Sequence, residues 1–170
     1  MTGGLLGPPG FLQGIVANAS VVDTANEVDG VRFTQPGTQT YTNFSYNVTA
    51  SATAGVLCGL AFYDTMGQTV LMSTGAQDAT KVGKHTVSVP SFTLNGGTQY
   101  IFSWTCSGAT WILYASSPTM AVIANLVNTT ATTNVVKGAT LSVGGVPPAS
   151  MGILSAKTGS GHPPVYYLEQ

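Results

Sequence analysis

The chain is predicted to fold as an all-β, antiparallel β-sandwich with jelly-roll-like layers and an extended N-terminal arm. Apolar and polar residues alternate along several short runs, as they do in strands with one dry and one wet face. Gly, Pro and Asn turns separate these runs, and neither β-α-β spacing nor a long amphipathic helix is present. A length of 170 residues suits one sandwich with a full core. We place the arm at residues 1–20 and the sandwich domain at 21–170.

The N-terminal arm is rich in Gly and Pro. Pro8 and Pro9 exclude a helix interior and a central strand. The arm also lacks the basic n-region of a secretion signal. Six of its apolar residues are too hydrophobic for a solvent-facing tail, so we expect them to anchor the chain on a partner: Leu5, Leu6, Phe11, Leu12, Ile15 and Val16. A disordered terminus is the alternative.

The strands are predicted from local alternation and turn residues. From Asn43 onward, successive residues in the run 40–50 point to opposite faces. The run 56–63 is apolar on both faces, which predicts a central strand or a strand at an interface. The tetrapeptide Asp64-Thr65-Met66-Gly67 predicts a turn. Further strands are predicted at 28–36, 68–72, 84–90, 98–106 and 111–114, with a loop at 75–83, weak strands within 134–143, an extended tail at 163–168, and a helix or a strand at 119–127.

The charge content is very low. Charged residues make up 6% of the chain, whereas roughly a quarter is usual for a globular domain. The net charge is −1 and the five basic residues are scattered, which argues against nucleic acid as a partner. No apolar run reaches the roughly 18 residues of a membrane span, so no membrane partner is expected. A hydroxyl-rich surface of this kind indicates a protein that contacts other surfaces.

The residues that carry chemistry do not form a catalytic set. His85 and His162 stand outside any metal-ligand spacing, so each is predicted to be an exposed strand or loop residue. Asp23, Glu27 and Asp29 form an acidic loop that we expect to be solvated, with a Ca²⁺ site as the alternative. Nucleophile-elbow, phosphate-loop and dinucleotide motifs are absent from the sequence. We therefore predict no enzymatic activity, no metal and no cofactor.

Two cysteines and two aromatic residues have competing interpretations. Cys58 and Cys106 fall in apolar alternating runs, so we expect buried free thiols, with a disulfide as the alternative. Most aromatic residues are predicted to be core. Trp111 and Tyr114, just beyond a Ser-Gly-Ala turn, are the candidates for stacking on a sugar ring, with a core position as the alternative.

Four motifs follow one another along the chain. They are GVRFTQPGTQTY at 30–41, LAFYDTMGQTVL at 60–71, GTQYIFSW at 97–104 and GVPPASMGILS at 145–155, followed by a Pro-Pro-hydrophobic tail. This order resembles the β-sandwich domains of tailed-bacteriophage virion proteins, in which a Y-D-x-x-G-x-x-V hairpin precedes a G-T-x-Y strand and a P-x-x-x-G-x-L return. The resemblance covers about residues 28–168.

The resemblance implies a virion appendage: a tail-fibre tip, a head fibre or a decoration protein. Such proteins are commonly trimers, and many adhere to host glycans, without catalytic residues that carry over. We therefore expect a homotrimer on the virion surface, assembled in the host cytoplasm and anchored to other virion structural proteins by its arm. A carbohydrate-binding or adhesion module outside a virion is the alternative. A small glycan depolymerase would require two facing carboxylates.

Overall fold

The described part of the chain consists of antiparallel β-sheets. The structure, a computed structural model, describes residues 15–20, 24–108, 112–116, 135–157 and 166–169. Within these ranges it contains strands and no helix, so the prediction of an all-β antiparallel sandwich is confirmed. The strands are β1 (Ile15–Ser20), β2 (Val28–Thr34), β3 (Gln39–Ala50), β4 (Leu57–Tyr63), β5 (Val70–Ser73), β6 (Gln77–Asp78), β7 (Gly83–Leu94), β8 (Gln99–Cys106), β9 (Ile112–Ser116), β10 (Val135–Gly138), β11 (Leu154–Ala156) and β12 (Tyr166–Glu169).

The strands form two sheets. The first sheet is organised around β3, which pairs with β7 along one edge and with β12 and β9 in succession along the other. β1 then pairs with β9. The second sheet has the order β11-β10-β2-β8-β4-β5, and β6 also pairs with β4. The β3–β7 ladder is thus the longest pairing in the first sheet, and the β2–β8–β4 ladders form the centre of the second sheet.

Aromatic rings from both sheets form the core between them. Phe44 of β3 lies 6.0 Å from Phe102 of β8 and 6.1 Å from Phe62 of β4, measured between ring centroids. Phe92 of β7 lies 5.7 Å from Phe62. Burial of such rings stabilises the sandwich by about 25 cal/mol per Å² of apolar surface. The core position predicted for most aromatic residues is confirmed on β8, where one face consists of four buried residues: Tyr100, Phe102, Trp104 and Cys106.

A bulge explains why alternation along β3 begins at Asn43. Tyr41 and Phe44 are both buried although their positions differ in parity. The register shifts between them, because Tyr41 pairs with Phe92 and Asn43 pairs with Ser88. The extra residues on β7 include Pro90, which has no N–H to donate to a ladder. The predicted strand 84–90 therefore continues past the proline to Leu94 instead of ending there.

Strand β4 is central, as its two apolar faces predicted. It pairs with β8 on one edge and with β5 and β6 on the other. Leu60 and Phe62 pack into the core between the sheets, whereas Ala61 and Tyr63 pack into a second buried cluster. The same chain covers that second face, so of the two alternatives predicted for this strand the structure shows the central position.

Residues 139–154, the cover segment, lie over the outer face of the second sheet. The Tyr63 hydroxyl donates a hydrogen bond to the Pro148 carbonyl oxygen at 2.6 Å. Met151 is fully buried against the sheet. A Cβ atom at Gly59 would lie 2.4 Å from both the Gly145 oxygen and the Pro147 Cδ. Only glycine at position 59 allows the cover segment to approach this closely.

The structure differs from two other predicted boundaries. The segment 75–83, predicted as loop, contains β6, which pairs Gln77 and Asp78 with Cys58 and Leu57. Ile15, assigned to the arm on sequence grounds, begins β1, so the first sheet starts before residue 21. The segment 119–127, with its two alternatives, lies outside the described residues.

Replacing Met151 with Ala tests the packing of the cover segment. We expect the free energy of unfolding to fall by about 2–5 kcal/mol, because the substitution leaves a cavity against the sheet. Ile153 is 82% exposed in the same segment, and Ile153→Ala is the matched control, with an expected change within about 0.5 kcal/mol. Urea unfolding of both variants measures the difference. Equal losses would contradict the assigned packing.

Candidate functional site

One side of the paired strands β3 and β7 carries a row of mostly small polar residues, which are exposed along β7 and, apart from Thr40, half-buried or buried along β3. The register places hydroxyl and amide side chains opposite one another, and we call this set the hydroxyl face. Its opposed pairs are Thr40 with Thr93, Asn43 with Ser88, Ser45 with Thr86, and Asn47 with Lys84.

Hydrogen bonds across the ladder orient the hydroxyl face. The Oγ1 atoms of Thr40 and Thr93 are 2.8 Å apart, and Ser45 Oγ lies 2.7 Å from Thr86 Oγ1. Each hydroxyl has one proton and two lone pairs, so the exposed Thr40–Thr93 pair, which shares one proton, keeps capacity for an outside partner. In the second pair Ser45 is buried, and only Thr86 is exposed. Lys84 is the single charged member of the set. The face is suited to polar contacts that do not depend on charge.

An open groove lies at one end of the sandwich. It has a volume of about 390 Å³ and is lined by Ser51, Ala52, Ala54, Gly55, Leu57, Asp78 and Thr80. The Asp78 carboxylate accepts hydrogen bonds from the hydroxyl and backbone N–H of Thr80, at 2.6 and 2.8 Å, and these bonds lower the pKa of Asp78. The Asp78 carboxylate thus stabilises the local turn at the wall of the groove.

Four charged residues meet beside the core, a set we call the charge cluster. Asp29 of β2 stands opposite Trp104 on β8, on the interior face of the second sheet, and opposite Lys137 on β10. Lys157, just after β11, binds Glu27 and lies 3.2 Å from the Asp29 carboxylate. Lys137 Nζ lies 2.7 Å from the second Glu27 carboxylate oxygen. The side chains of Glu27, Asp29 and Lys157 are at least 93% buried.

The pKa values of the two acids in the charge cluster are shifted in opposite directions. Burial raises the pKa of Asp29 to about 7; Lys157 opposes this rise, and the neighbouring Glu27 carboxylate adds to it. Burial also acts to raise the pKa of Glu27, but hydrogen bonds from Lys137 and Lys157 outweigh it and lower the pKa to about 2. One carboxylate is therefore held ionised, and the other takes up a proton readily.

The prediction of a solvated acidic loop is wrong for Glu27 and Asp29. Both are buried, and both are paired with lysines distant in sequence. Asp23 lies outside the described residues. Within the described ranges, no three His, Cys, Asp or Glu side chains gather in a way that could hold a metal ion. Sequence reasoning did not find Lys137 and Lys157, although two acids at i and i+2 in an apolar strand signal a need for buried cations.

Asp64 and His85, the other titratable residues considered for chemistry, make hydrogen bonds or ring contacts within the fold. The Asp64 carboxylate accepts backbone hydrogen bonds from Met66 at 3.1 Å and Gln68 at 2.9 Å, which confirms the predicted turn. His85 was predicted to be exposed but is half-buried, because its ring stacks on Tyr46 with centroids 5.2 Å apart. Its Nε2 atom lies 2.7 Å from the Lys81 carbonyl oxygen. His162 lies outside the described residues.

The predicted binding and anchoring residues are described only in part. Tyr114 lies in β9, next to Leu113, which pairs with Val48 of β3. Ile15 and Val16 lie in β1 and pair with Ser116 and Ala115. Five predicted residues lie outside the described ranges: Leu5, Leu6, Phe11, Leu12 and Trp111.

Comparison with known proteins identifies no relative. No family model, curated protein or solved structure matches the chain. A search of the described residues for a helix long and apolar enough to cross a membrane finds none.

Replacing Lys157 with Met tests the charge cluster. We expect a loss of about 3–5 kcal/mol in the free energy of unfolding, because Asp29 and one Glu27 oxygen then lose their cation while still buried. Lys81, 75% exposed and 4.0 Å from Asp78, provides the control variant Lys81→Met. That variant should change stability by no more than about 1 kcal/mol, as is usual for an exposed ion pair. Urea unfolding at pH 7 distinguishes the two, and a neutral Lys157→Met result would contradict the assignment.

The raised pKa of Asp29 predicts a pH dependence with a defined sign. The folded pKa of about 7 lies above the ordinary 3.8, so the folded state binds this proton more tightly. Stability from Asp29 therefore falls between pH 4 and 7, by up to about 1.4 kcal/mol per pH unit. The contribution of Glu27, whose pKa is lowered to about 2, is complete above pH 4.5. Asp29→Asn should remove this slope in urea titrations between pH 5 and 7, and an unchanged slope would contradict the proton assignment.

Proposed function

We propose that the chain is a non-enzymatic surface protein of a tailed-bacteriophage virion, either a head-fibre or decoration protein or a tail-fibre tip. The observation that carries the proposal is the hydroxyl face, a row of oriented hydroxyl and amide groups with one charge. Such a face contacts other surfaces through short-range hydrogen bonds, and its interactions are insensitive to salt. The order of sequence motifs supplies the virion context.

The roles of the described carboxylates support a non-enzymatic protein. Glu27 and Asp29 are paired with lysines in a buried cluster, and Asp64 and Asp78 accept hydrogen bonds in turns. A glycan depolymerase needs one carboxyl group on each side of a scissile bond, with open space between them. The engagement of these four acids weighs against that alternative.

The N-terminal arm is proposed to anchor the chain to other virion structural proteins. The last six residues of the arm, 15–20, form β1, which pairs with β9, and β9 pairs with β3. The arm is therefore hydrogen-bonded into the first sheet, which also carries the hydroxyl face. In this proposal the chain is a homotrimer on the virion surface, with the hydroxyl face directed outward.

The outward contact is proposed to be a host-surface glycan. Sugar hydroxyls are donors and acceptors of the same kind as the Thr, Ser and Asn groups of the hydroxyl face, and Trp111 or Tyr114 would add a stacking surface. The same chemistry would serve a carbohydrate-binding module outside a virion. Association with particles separates these two functions.

Particle sedimentation and cell adhesion test the proposal together. We expect the chain to co-sediment with particles in a density gradient, and we expect particles carrying Thr86→Glu and Ser88→Glu to bind host cells at least about tenfold less tightly, or 1.4 kcal/mol. New carboxylates at these positions would remove two hydroxyl donors and disrupt the hydrogen bonds of the hydroxyl face. Thr69→Glu, at an exposed residue in the β4–β5 hairpin, is the matched control.

Each of the two measurements tests a different part of the proposal. A chain found only in the particle-free fractions would contradict the virion assignment, whatever its adhesion. Particles that carry the chain and bind cells equally well with Thr86→Glu and Ser88→Glu would contradict the role of the hydroxyl face alone.

A further inference from the structure

The two cysteines stand directly opposite each other at one end of the ladder between β4 and β8, two inner strands of the second sheet. Cys58 on β4 is the register partner of Cys106 on β8. Both thiols are free and both side chains are fully buried, which confirms the predicted buried thiols. Directly opposed residues share a sheet face, so the two Cβ atoms point the same way, toward the core.

The hydrogen bonds around the pair show that it is a non-hydrogen-bonded pair. The Cys106 carbonyl oxygen accepts from Asn26 N–H at 2.7 Å, on the β2 side and away from β4. The adjacent residues, Leu57 and Ser107, form the bonded pair, with Ser107 N–H donating to the Leu57 oxygen at 2.8 Å. In non-hydrogen-bonded antiparallel pairs the Cα atoms are about 4.5 Å apart. That separation lies within the range of about 4.4–6.8 Å that a disulfide spans.

We propose that Cys58 and Cys106 are a latent cross-strand disulfide, which closes when the chain folds in an oxidising medium but not once the reduced sandwich has formed. The register supplies the geometry for the bond. Burial prevents oxidation of the folded, reduced chain, because an oxidant cannot reach either sulfur atom while β4 and β8 are covered on both faces. The redox state of the pair therefore records the medium in which the chain folded.

The raised pKa values of the two thiols also slow their oxidation in the folded chain. Burial raises the pKa of Cys58, and the neighbouring Cys106 raises it further. Burial also raises the pKa of Cys106. The thiolate is the reactive form, so both sulfur atoms are poor nucleophiles in the folded chain and ordinary ones in the open chain.

The reaction balances with a small-molecule disulfide such as oxidised glutathione. In the open chain, one cysteine loses its proton to solvent, and its thiolate attacks a glutathione sulfur and releases one glutathione thiolate. The other cysteine thiolate then attacks the protein sulfur of the mixed disulfide and releases the second glutathione. The protein loses two protons and two electrons, and one glutathione disulfide becomes two glutathione thiols.

The test compares folded and refolding protein in oxidised glutathione. Reduced folded protein should keep two thiols, with an oxidation rate at least about 100-fold below that of the urea-unfolded chain. Protein refolded from urea in the same buffer should carry an internal bond between Cys58 and Cys106, identified by peptide mass mapping without reduction. Its urea midpoint should exceed that of protein refolded with reduced glutathione.

Each alternative outcome overturns the proposal. Refolded protein in which both thiols can still be alkylated, or one that forms only bonds between chains, contradicts the geometry. Folded protein that oxidises as fast as the unfolded chain contradicts the protection by burial. Where refolding is inefficient, oxidation of the folded protein is followed in rising urea, and a rate independent of urea contradicts the need for opening. Cys106→Ala is the control, because it keeps Cys58 but cannot form the internal bond.

Discussion

Burial of the second sheet on both faces is the constraint on which the rest of the structure depends. One face of β4 and β8 packs against the first sheet through aromatic rings, and the other packs under the cover segment. A sheet covered twice needs apolar residues at consecutive positions, as in Leu60 to Tyr63. It also needs a close fit, which Gly59 provides. The low charge content of the chain follows in part from this architecture, since a central strand has no wet side.

The charge cluster marks where the C-terminal strands join this sheet. It brings together four of the eleven formally charged side chains and connects β2, β10 and the residue that follows β11. Buried ion pairs add little stability over apolar residues of the same volume, but an unmatched partner is costly. A shifted register of β10 or β11 would leave Glu27 or Asp29 without a cation. The cluster therefore selects one docking position for the chain after β10.

The sequence predicted features set by neighbours along the chain. Alternation identified β3 and β8, and the Asp64–Gly67 turn followed from its residue types. Features set by distant partners were not predicted. The burial of Glu27 depends on lysines 110 and 130 residues away, and the outer face of β4 is covered by the cover segment, which local alternation did not identify. Pro90 indicated the end of a strand, whereas a bulge carries β7 past it.

Native-state hydrogen exchange tests most directly whether the cover segment and the second sheet fold as one unit. The amides of Ala139, Thr140, Ser142 and Met151 donate to Ile153, Met151, Asn26 and Gly67, at 2.8–3.0 Å. We expect these four amides to exchange with the same opening free energy as the amides of β4 and β8, because exposing the outer face would unfold the sheet. Exchange of the cover amides at loop-like rates, with β4 and β8 still fully protected, would contradict this account.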